Sequence, residues 1–255
     1  MPQSIQIGEL TLRLYGIIFS LAVLSAYFLI GKLASLSKVD KKHLEATLYI
    51  VLIFGLIGAR FYHVFDEWNY YSKNPIDIIK IWNGGVGIYG GLILALVALI
   101  VFCKTKKQKI LPILDAITPG VLLAQAIGRW GNYFNQEAYG YPSNLPWAIK
   151  IDPINRLTGF ENFEYFHPTF LYESLLAIFF VFILVLLFYK KNQRHGLVFA
   201  FYLVFYGITR LITEHFRIDT WEQGGLKIAD LLSMSLIFVG LFLVIKHRIL
   251  RAFSR

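Results

Sequence analysis

The sequence predicts an all-α polytopic membrane protein of seven transmembrane helices, with the N-terminus outside, the C-terminus cytoplasmic and a small external domain between helices 4 and 5. Three observations predict it. Hydrophobic residues make up 56% of the 255 positions and charged residues only 16%, where a soluble domain carries about a quarter charged. Apolar runs long enough to span a bilayer recur along the chain. The basic residues collect on alternate connections between those runs.

The runs are roughly Leu12–Gly31, Ala46–Phe65, Gly85–Cys103, Ile110–Gly128, Thr169–Tyr189, Gly196–Thr213 and Ile228–Lys246. Each is near the ~20 residues an α-helix needs to cross ~30 Å of hydrocarbon. Leu, Ile, Val and Phe occur on all faces and none alternates with the period of a barrel strand. No basic n-region precedes the first run, so Met1–Thr11 does not read as a cleavable signal peptide. The expectation is one integral membrane domain, 1–255, carrying an external insertion over 129–168.

Orientation follows from charge. One set of connections holds Lys32, Lys38, Lys41 and Lys42; Lys104, Lys106, Lys107 and Lys109; Lys190, Lys191 and Arg194; and Lys246, Arg248, Arg251 and Arg255. The other set is longer and poorer, with Lys73, Lys80, Arg129, Lys150, Arg156, Arg217 and Lys227. The richer set belongs in the cytoplasm. The net charge of +9 and pI near 9.5 are then mostly topology and contact with anionic inner-leaflet lipid, and no nucleic-acid partner is implied.

Arg13, Arg60 and Arg210 fall within the outer thirds of spans 1, 2 and 6, while Arg129 caps the outer end of span 4. A charge in the membrane is costly and marks a functional site by default. A single arginine near a helix end reads equally well as snorkelling; several at one outer level favour a built anionic site. The densest polar stretch is Gly128-Arg129-Trp130-Gly131-Asn132-Tyr133-Phe134-Asn135-Gln136-Glu137-Ala138-Tyr139-Gly140. One further helical turn would put Arg129 and Asn132 on one face. Glycines 128, 131 and 140 leave backbone open to a ligand, and an arginine fork beside amide donors suits a phosphate. Glu137 could orient an arginine or accept a proton. Arg210 and Glu214 share a helix face, with Arg217 a turn further on.

The stretch Gly-Arg-x-Gly-Asn-x-x-Asn-x-Glu-x-x-Gly resembles the signature of bacterial prolipoprotein diacylglyceryl transferases. Leu14-Tyr15-Gly16, Gly58-Ala59-Arg60, Tyr89-Gly90-Gly91-Leu92-Ile93, His167-Pro168-Thr169-x-Leu171-Tyr172-Glu173 and Arg210-x-x-x-Glu214-x-x-Arg217 resemble family motifs in family order. The resemblance implies transfer of the diacylglyceryl group of phosphatidylglycerol to the lipobox cysteine of a prolipoprotein, at the outer face of the bacterial cytoplasmic (inner) membrane. A thioether forms and glycerol phosphate leaves. It further implies catalytic roles for Arg129, Arg210, Tyr89 and Glu137. Substrate-binding roles fall to Tyr15, Arg60, Gly90, Gly91, Asn132, Asn135, Gly140, Glu214 and Arg217. The residues meet these demands independently: guanidinium groups can bind an anionic headgroup, stabilise charge on a leaving phosphate and lower the pKa of a nearby thiol.

The chain departs from the family at Tyr89, where many members carry a histidine proposed as general base. A phenol with a reference pKa of ~10 is a poor base at neutral pH. Either Tyr89 only hydrogen-bonds lipid or thiol, or another group such as Glu137 takes the proton. His43, His195 and His247 belong to the cytoplasmic side, His63 and His167 read as structural, and His215 is a weaker base candidate beside Arg210.

Two other classes compete. A secondary transporter would place acids or broken helices at midspan, but Asp115 lies near an inner end and Glu173, Glu214 and Asp230 near outer ends. A non-reacting membrane adaptor would leave the arginines without a role. One cysteine, Cys103, excludes an intrachain disulfide framework and a cysteine-cluster metal site, and reads as packing. No cofactor or metal is expected.

Overall fold

A computed structural model describes the chain apart from residues 1–2, 9, 37–38, 82–83, 192–194 and 253–255. Lys38, Arg194 and Arg255, used above for topology, lie outside the described residues. The helices are α1 (Leu14–Ala34), α2 (Lys41–Asp66), the single-turn α3 (Trp68–Tyr71), α4 (Ile88–Thr105), α5 (Ile110–Asn135), α6 (Thr169–Lys191), α7 (Leu197–Glu214) and α8 (Ile228–Ala252). All but α3 are long and apolar enough to cross a membrane, so the seven expected spans are present and the chain is a multi-pass membrane protein. Large apolar side chains such as Phe28, Phe61, Phe182 and Phe238 are exposed on them; lipid is the solvent that suits such faces, because helices satisfy their own backbone hydrogen bonds.

Two helix ends differ from expectation. The first apolar run begins earlier than α1, because Ser4–Ile7 (β1) and Leu10–Arg13 (β2) form an antiparallel hairpin. Apolar Ile5, Ile7, Leu10 and Leu12 alternate with polar neighbours, and Gly8 takes a left-handed φ of 63° at the turn. Arg13 is therefore the last strand residue and the N-cap of α1, not a residue within the helix. The second difference is at α5, which runs on to Asn135. Arg129 lies inside that helix rather than at its cap, and the connection to α6 starts at Gln136. The helix stops where Gln136 and Ala138 adopt φ of 54° and the Glu137 N–H bonds back to Asn132 O at 3.0 Å, a left-handed C-terminal ending.

The chain forms two compact units, Lys38–Ile113 and Met1–Ser37 with Leu114–Arg255. In the first, α2 and α4 meet through glycine. A Cβ on Gly58 would lie 2.3 Å from Gly90 O, and one on Gly90 2.3 Å from Gly58 O. Small residues let membrane helices approach until their backbones touch, which is how they gain packing energy without a hydrophobic drive.

In the second unit, α7 and α8 use the same device: Gly207 lies against Ser233 and Ile237, and Gly240 against Ala200 and Val204. The Asp115 carboxylate on α5 accepts from the backbone N–H of Gly196 at 2.5 Å and Phe199 at 2.8 Å, satisfying free donors at the start of α7. The segment between α5 and α6 folds on Tyr139, Ile151 and Phe166, against which Ile149, Phe160 and Ile218 pack. Burying one such side chain contributes about 1.5–3 kcal/mol. Within it, Ile149–Lys150 (β3) pairs antiparallel with Tyr165–Phe166 (β4). The Tyr139 hydroxyl donates to Asn155 O at 2.8 Å and accepts from Leu157 N at 2.7 Å. Beyond α7, Glu222–Gln223 (β5) and Leu226–Lys227 (β6) form a hairpin whose turn, Gly224-Gly225, has positive φ at both positions, as a two-residue type I′ loop requires.

Candidate active site

The last two turns of α5 carry the polar signature. Gly131 faces α1: a Cβ there would meet the Tyr15 ring at 2.7 Å, so the glycine lets that ring approach the helix closely. The Glu137 Oε1 atom accepts from Asn132 Nδ2 at 2.9 Å and Asn135 Nδ2 at 3.3 Å. The two amides thus hold the carboxylate just past the helix end. Glu137 was expected to orient an arginine or accept a proton, yet the carboxylate that meets Arg129 is Glu173, and Glu137 is held by amides instead.

Glu173 stands near the start of α6 and is 5% exposed. Its Oε2 lies 2.5 Å from Arg129 Nη2, and its Oε1 lies 3.1 Å from Arg210 Nη1 and 3.8 Å from Arg217 Nη1. Arg210 also pairs with Glu214, buried one turn further along α7. Arg217 makes a second pair with Asp219, at 3.0 and 2.8 Å. Three guanidinium groups from the α5 and α7 regions thus share one buried carboxylate. A carboxylate isolated from water in this way needs paired, hydrogen-bonded partners, and here it has them. Arg129 is the most open of the three, and its remaining N–H groups have no partner among the described residues.

The motif His167–Glu173 explains why Glu173 arrives there. The Thr169 hydroxyl donates to Ala138 O, pinning the first turn of α6 to the end of α5. The Trp130 indole donates to Ser174 Oγ at 3.2 Å, joining the same helices one turn on. Trp147 Nε1 donates to the Tyr172 hydroxyl at 3.0 Å, which lies 3.0 Å from His167 Nδ1. The His167 ring is outside the membrane span, and burial holds its pKa below the ordinary histidine value. The ring also packs against those of Tyr172 and Phe216, so His167 has a structural place in this cluster.

The other expected residues have different surroundings. Gly140 was read as open to ligand; a Cβ on it would lie 2.4 Å from Phe216 O, and its N–H bonds to His167 O at 2.9 Å. Its smallness is used by packing. In the Lys38–Ile113 unit, Gly90 and Gly91 turn their bare faces to α2. Arg60, expected to bind an anion, donates instead to four carbonyls: Asp77 at 2.5 Å, Ile78 at 2.8 Å, Gly84 at 2.7 Å and Gly85 at 2.8 Å. Its guanidinium also covers the Tyr71 ring at 5.1 Å. Arg60 is buried because a loop wraps it. Tyr89 stands in the first turn of α4, 44% exposed, its ring 6.3 Å from that of Tyr62. Glu173 and Asp219 were absent from the expected site; for Glu173 the available signal was an acidic residue within an otherwise apolar span. Among the described residues, no group of His, Cys, Asp and Glu is arranged to hold a metal.

Seven apolar spans and a carboxylate-braced arginine cluster where two of them end define a multi-pass membrane protein with a cluster of paired charges at one end of its helices. The profile of the family described as "Prolipoprotein diacylglyceryl transferase" matches residues 2–246, and the chain belongs to that family. It is similar to the phosphatidylglycerol–prolipoprotein diacylglyceryl transferase of Finegoldia magna, 41% identical over 234 residues covering 92% of this chain and 90% of that protein. The enzyme of the same name from Fervidobacterium nodosum is 41% identical, covering 92% and 81% respectively. That from Parasynechococcus marenigrum is 40% identical, covering 94% and 91%. The resemblance read from the motifs therefore extends over nearly the whole chain.

Proposed function

We propose that this chain transfers the diacylglyceryl group of phosphatidylglycerol to the lipobox cysteine thiol of prolipoproteins, the first step of lipoprotein maturation, at the outer face of the bacterial cytoplasmic membrane. The observation that carries the reading is the sharing of Glu173 by Arg129, Arg210 and Arg217 in a member of this family. The donor is an anionic lipid, and a guanidinium fork is the side chain best matched to its phosphate. Lysine-rich connections support the orientation with the N-terminus outside.

In this reading the thiolate attacks the diacylglyceryl CH2 bonded to the phosphate oxygen. The C–S bond forms, the C–O bond breaks, and glycerol phosphate leaves with the electron pair. Arg129 meets the phosphate through its uncommitted N–H groups. Arg210, held between Glu173 and Glu214, and Arg217 are fixed in place before charge develops, so no reorganisation is needed at the moment of reaction. Asn132 and Asn135 present the Glu137 carboxylate, which we assign as acceptor of the thiol proton, and Tyr15 shapes the adjoining wall. Tyr89 is left the role of a hydrogen-bond donor to lipid or thiol. The packing of Arg60, Gly90, Gly91 and Gly140 supports positioning roles for them rather than contact with the lipid.

Purified full-length protein incubated with phosphatidylglycerol and a lipobox peptide should give a peptide heavier by one diacylglyceryl group and should release glycerol phosphate. Unmodified peptide across several detergents and lipid mixtures would overturn the proposal.

A further inference from the structure

Beneath the Arg129–Glu173 pair, a cavity of about 20 Å³ is lined by residues of α5, α6 and α7. Gln125, Thr209 and Tyr206 contribute to its wall together with Arg129 and Glu173. Two buried oxygens of these lining residues, Gln125 Oε1 and Thr209 Oγ1, have no hydrogen-bond partner among the described residues. Thr209 is 5% exposed. The Gln125 amide is anchored at its other end, where Nε2 donates to the Tyr202 hydroxyl at 3.2 Å. Its carbonyl oxygen is thus left over by an otherwise committed side chain.

Buried polar atoms without partners are rare because their desolvation is not compensated. Roughly 10–15 Å³ of such room holds one water, provided the site offers two to four polar partners. Glu173 supplies a further partner. A carboxylate has about four lone-pair sites, and the ion pairs with Arg129, Arg210 and Arg217 occupy three directions around it.

We infer that this cavity is a built site for a single water molecule, held by Thr209 and Gln125, that braces Glu173 from below. The water accepts the Thr209 hydroxyl proton and donates one O–H to Gln125 Oε1 and the other to the Glu173 carboxylate. Glu173 is then held from the membrane side while the arginines pull from the outer side. Thr209 and Gln125 are positioning residues: they touch no substrate and act through Glu173 on the orientation of Arg129 and Arg210. The catalytic consequence rests on the transferase reading; the water itself does not.

Two measurements test it. A crystallographic or electron-microscopy map of the full chain that resolves other buried waters should show density within about 2.5–3.0 Å of both Thr209 Oγ1 and Gln125 Oε1. That density should vanish in Thr209→Val, which keeps the side-chain shape and removes the hydroxyl. A dry cavity in the unsubstituted protein overturns the inference whether or not the protein turns over, so its failure is distinct from failure of the transferase reading.

The second measurement is kinetic. Thr209→Val and Gln125→Met should each lower kcat about tenfold, the low end of what loss of an outer-sphere partner costs, with KM for phosphatidylglycerol changed less than about twofold. Thr209→Ser should restore the rate. The double variant should be no slower than the slower single one, because both side chains hold the same water. Additive losses, a rise in KM alone, full activity in Thr209→Val or failure of serine to rescue would each overturn it.

Discussion

Arg129 and Glu173 meet at 2.5 Å across two helices, and the same carboxylate reaches Arg210 on a third. One acidic side chain therefore links Arg129, to which the proposed reaction gives the phosphate, with Arg210. Glu173→Gln keeps the shape and removes the charge. Removing one partner of a buried pair costs about 3–5 kcal/mol because the other charges are left uncompensated. Thermal unfolding in detergent should show a loss of that order, with transfer falling at least about tenfold. Unchanged stability and ordinary turnover in Glu173→Gln would show that the arginines do not depend on this carboxylate.

Arg129→Lys should fail nearly as badly as Arg129→Ala. An ammonium can keep one contact to Glu173, but it cannot hold Glu173 and grip a phosphate with a second, planar edge. The test is kcat/KM for both variants beside their melting temperatures. Near-normal turnover in the lysine variant would reduce the requirement to positive charge alone.

For Glu137 the informative change is to Gln. The amide oxygen can still accept from Asn132 and Asn135, so the local geometry survives while the capacity to take a proton is lost. A fall of at least about a hundredfold in kcat, within the range general-base catalysis contributes, is expected, and retained activity would exclude Glu137 as the obligatory base. Asn132→Ala removes the closer of the two amide contacts at 2.9 Å. It should lower kcat, because among the described residues the Glu137 carboxylate is then held by Asn135 alone, with a smaller change in KM for the lipid; a rise in lipid KM with kcat unchanged would instead place Asn132 on the headgroup.

Arg60→Lys separates packing from binding. Lysine has three donors and cannot span the four carbonyls that Arg60 now satisfies. Hydrogen bonds to a charged group contribute about 1.5–3 kcal/mol each, so a loss of at least about 2 kcal/mol is expected, with faster proteolysis of the 72–87 loop. A raised lipid KM with an unchanged melting temperature and cleavage rate would instead return Arg60 to the substrate site.

His167 gives a pH dependence. Its pKa is depressed by burial, so between the folded and unfolded values the unfolded chain binds the extra proton and stability rises with pH. The contribution is fully present above the ordinary histidine pKa of ~6.5 and is lost as pH falls below it, when the part-buried ring must take up a charge. The melting temperature should drop as pH is lowered from about 7 to 5.5, across that ordinary value, and His167→Gln should flatten that segment. An identical slope in both proteins would place the titration elsewhere.

The seven spans, their order and the family were legible in the residues because each depends on local, summable properties. Hydrophobic length is set against bilayer thickness, and a motif is a run of neighbours. The α5 signature was legible too, and only its boundary moved: helical hydrogen bonding carries Arg129 through Asn135 inside the helix, although the composition there has already turned polar. What the tertiary structure alone decided is where each polar group spends its hydrogen bonds. Arg60 and Arg129 read alike in sequence, yet one is wrapped by loop carbonyls and the other faces a carboxylate. Glu173 reaches Arg210 across 37 residues of chain, and the bare faces of Gly90, Gly91 and Gly140 are taken up by neighbours distant in sequence. A guanidinium is recognised by its partners, and those partners are brought to it through space by the packing of helices, which no local pattern of residues specifies.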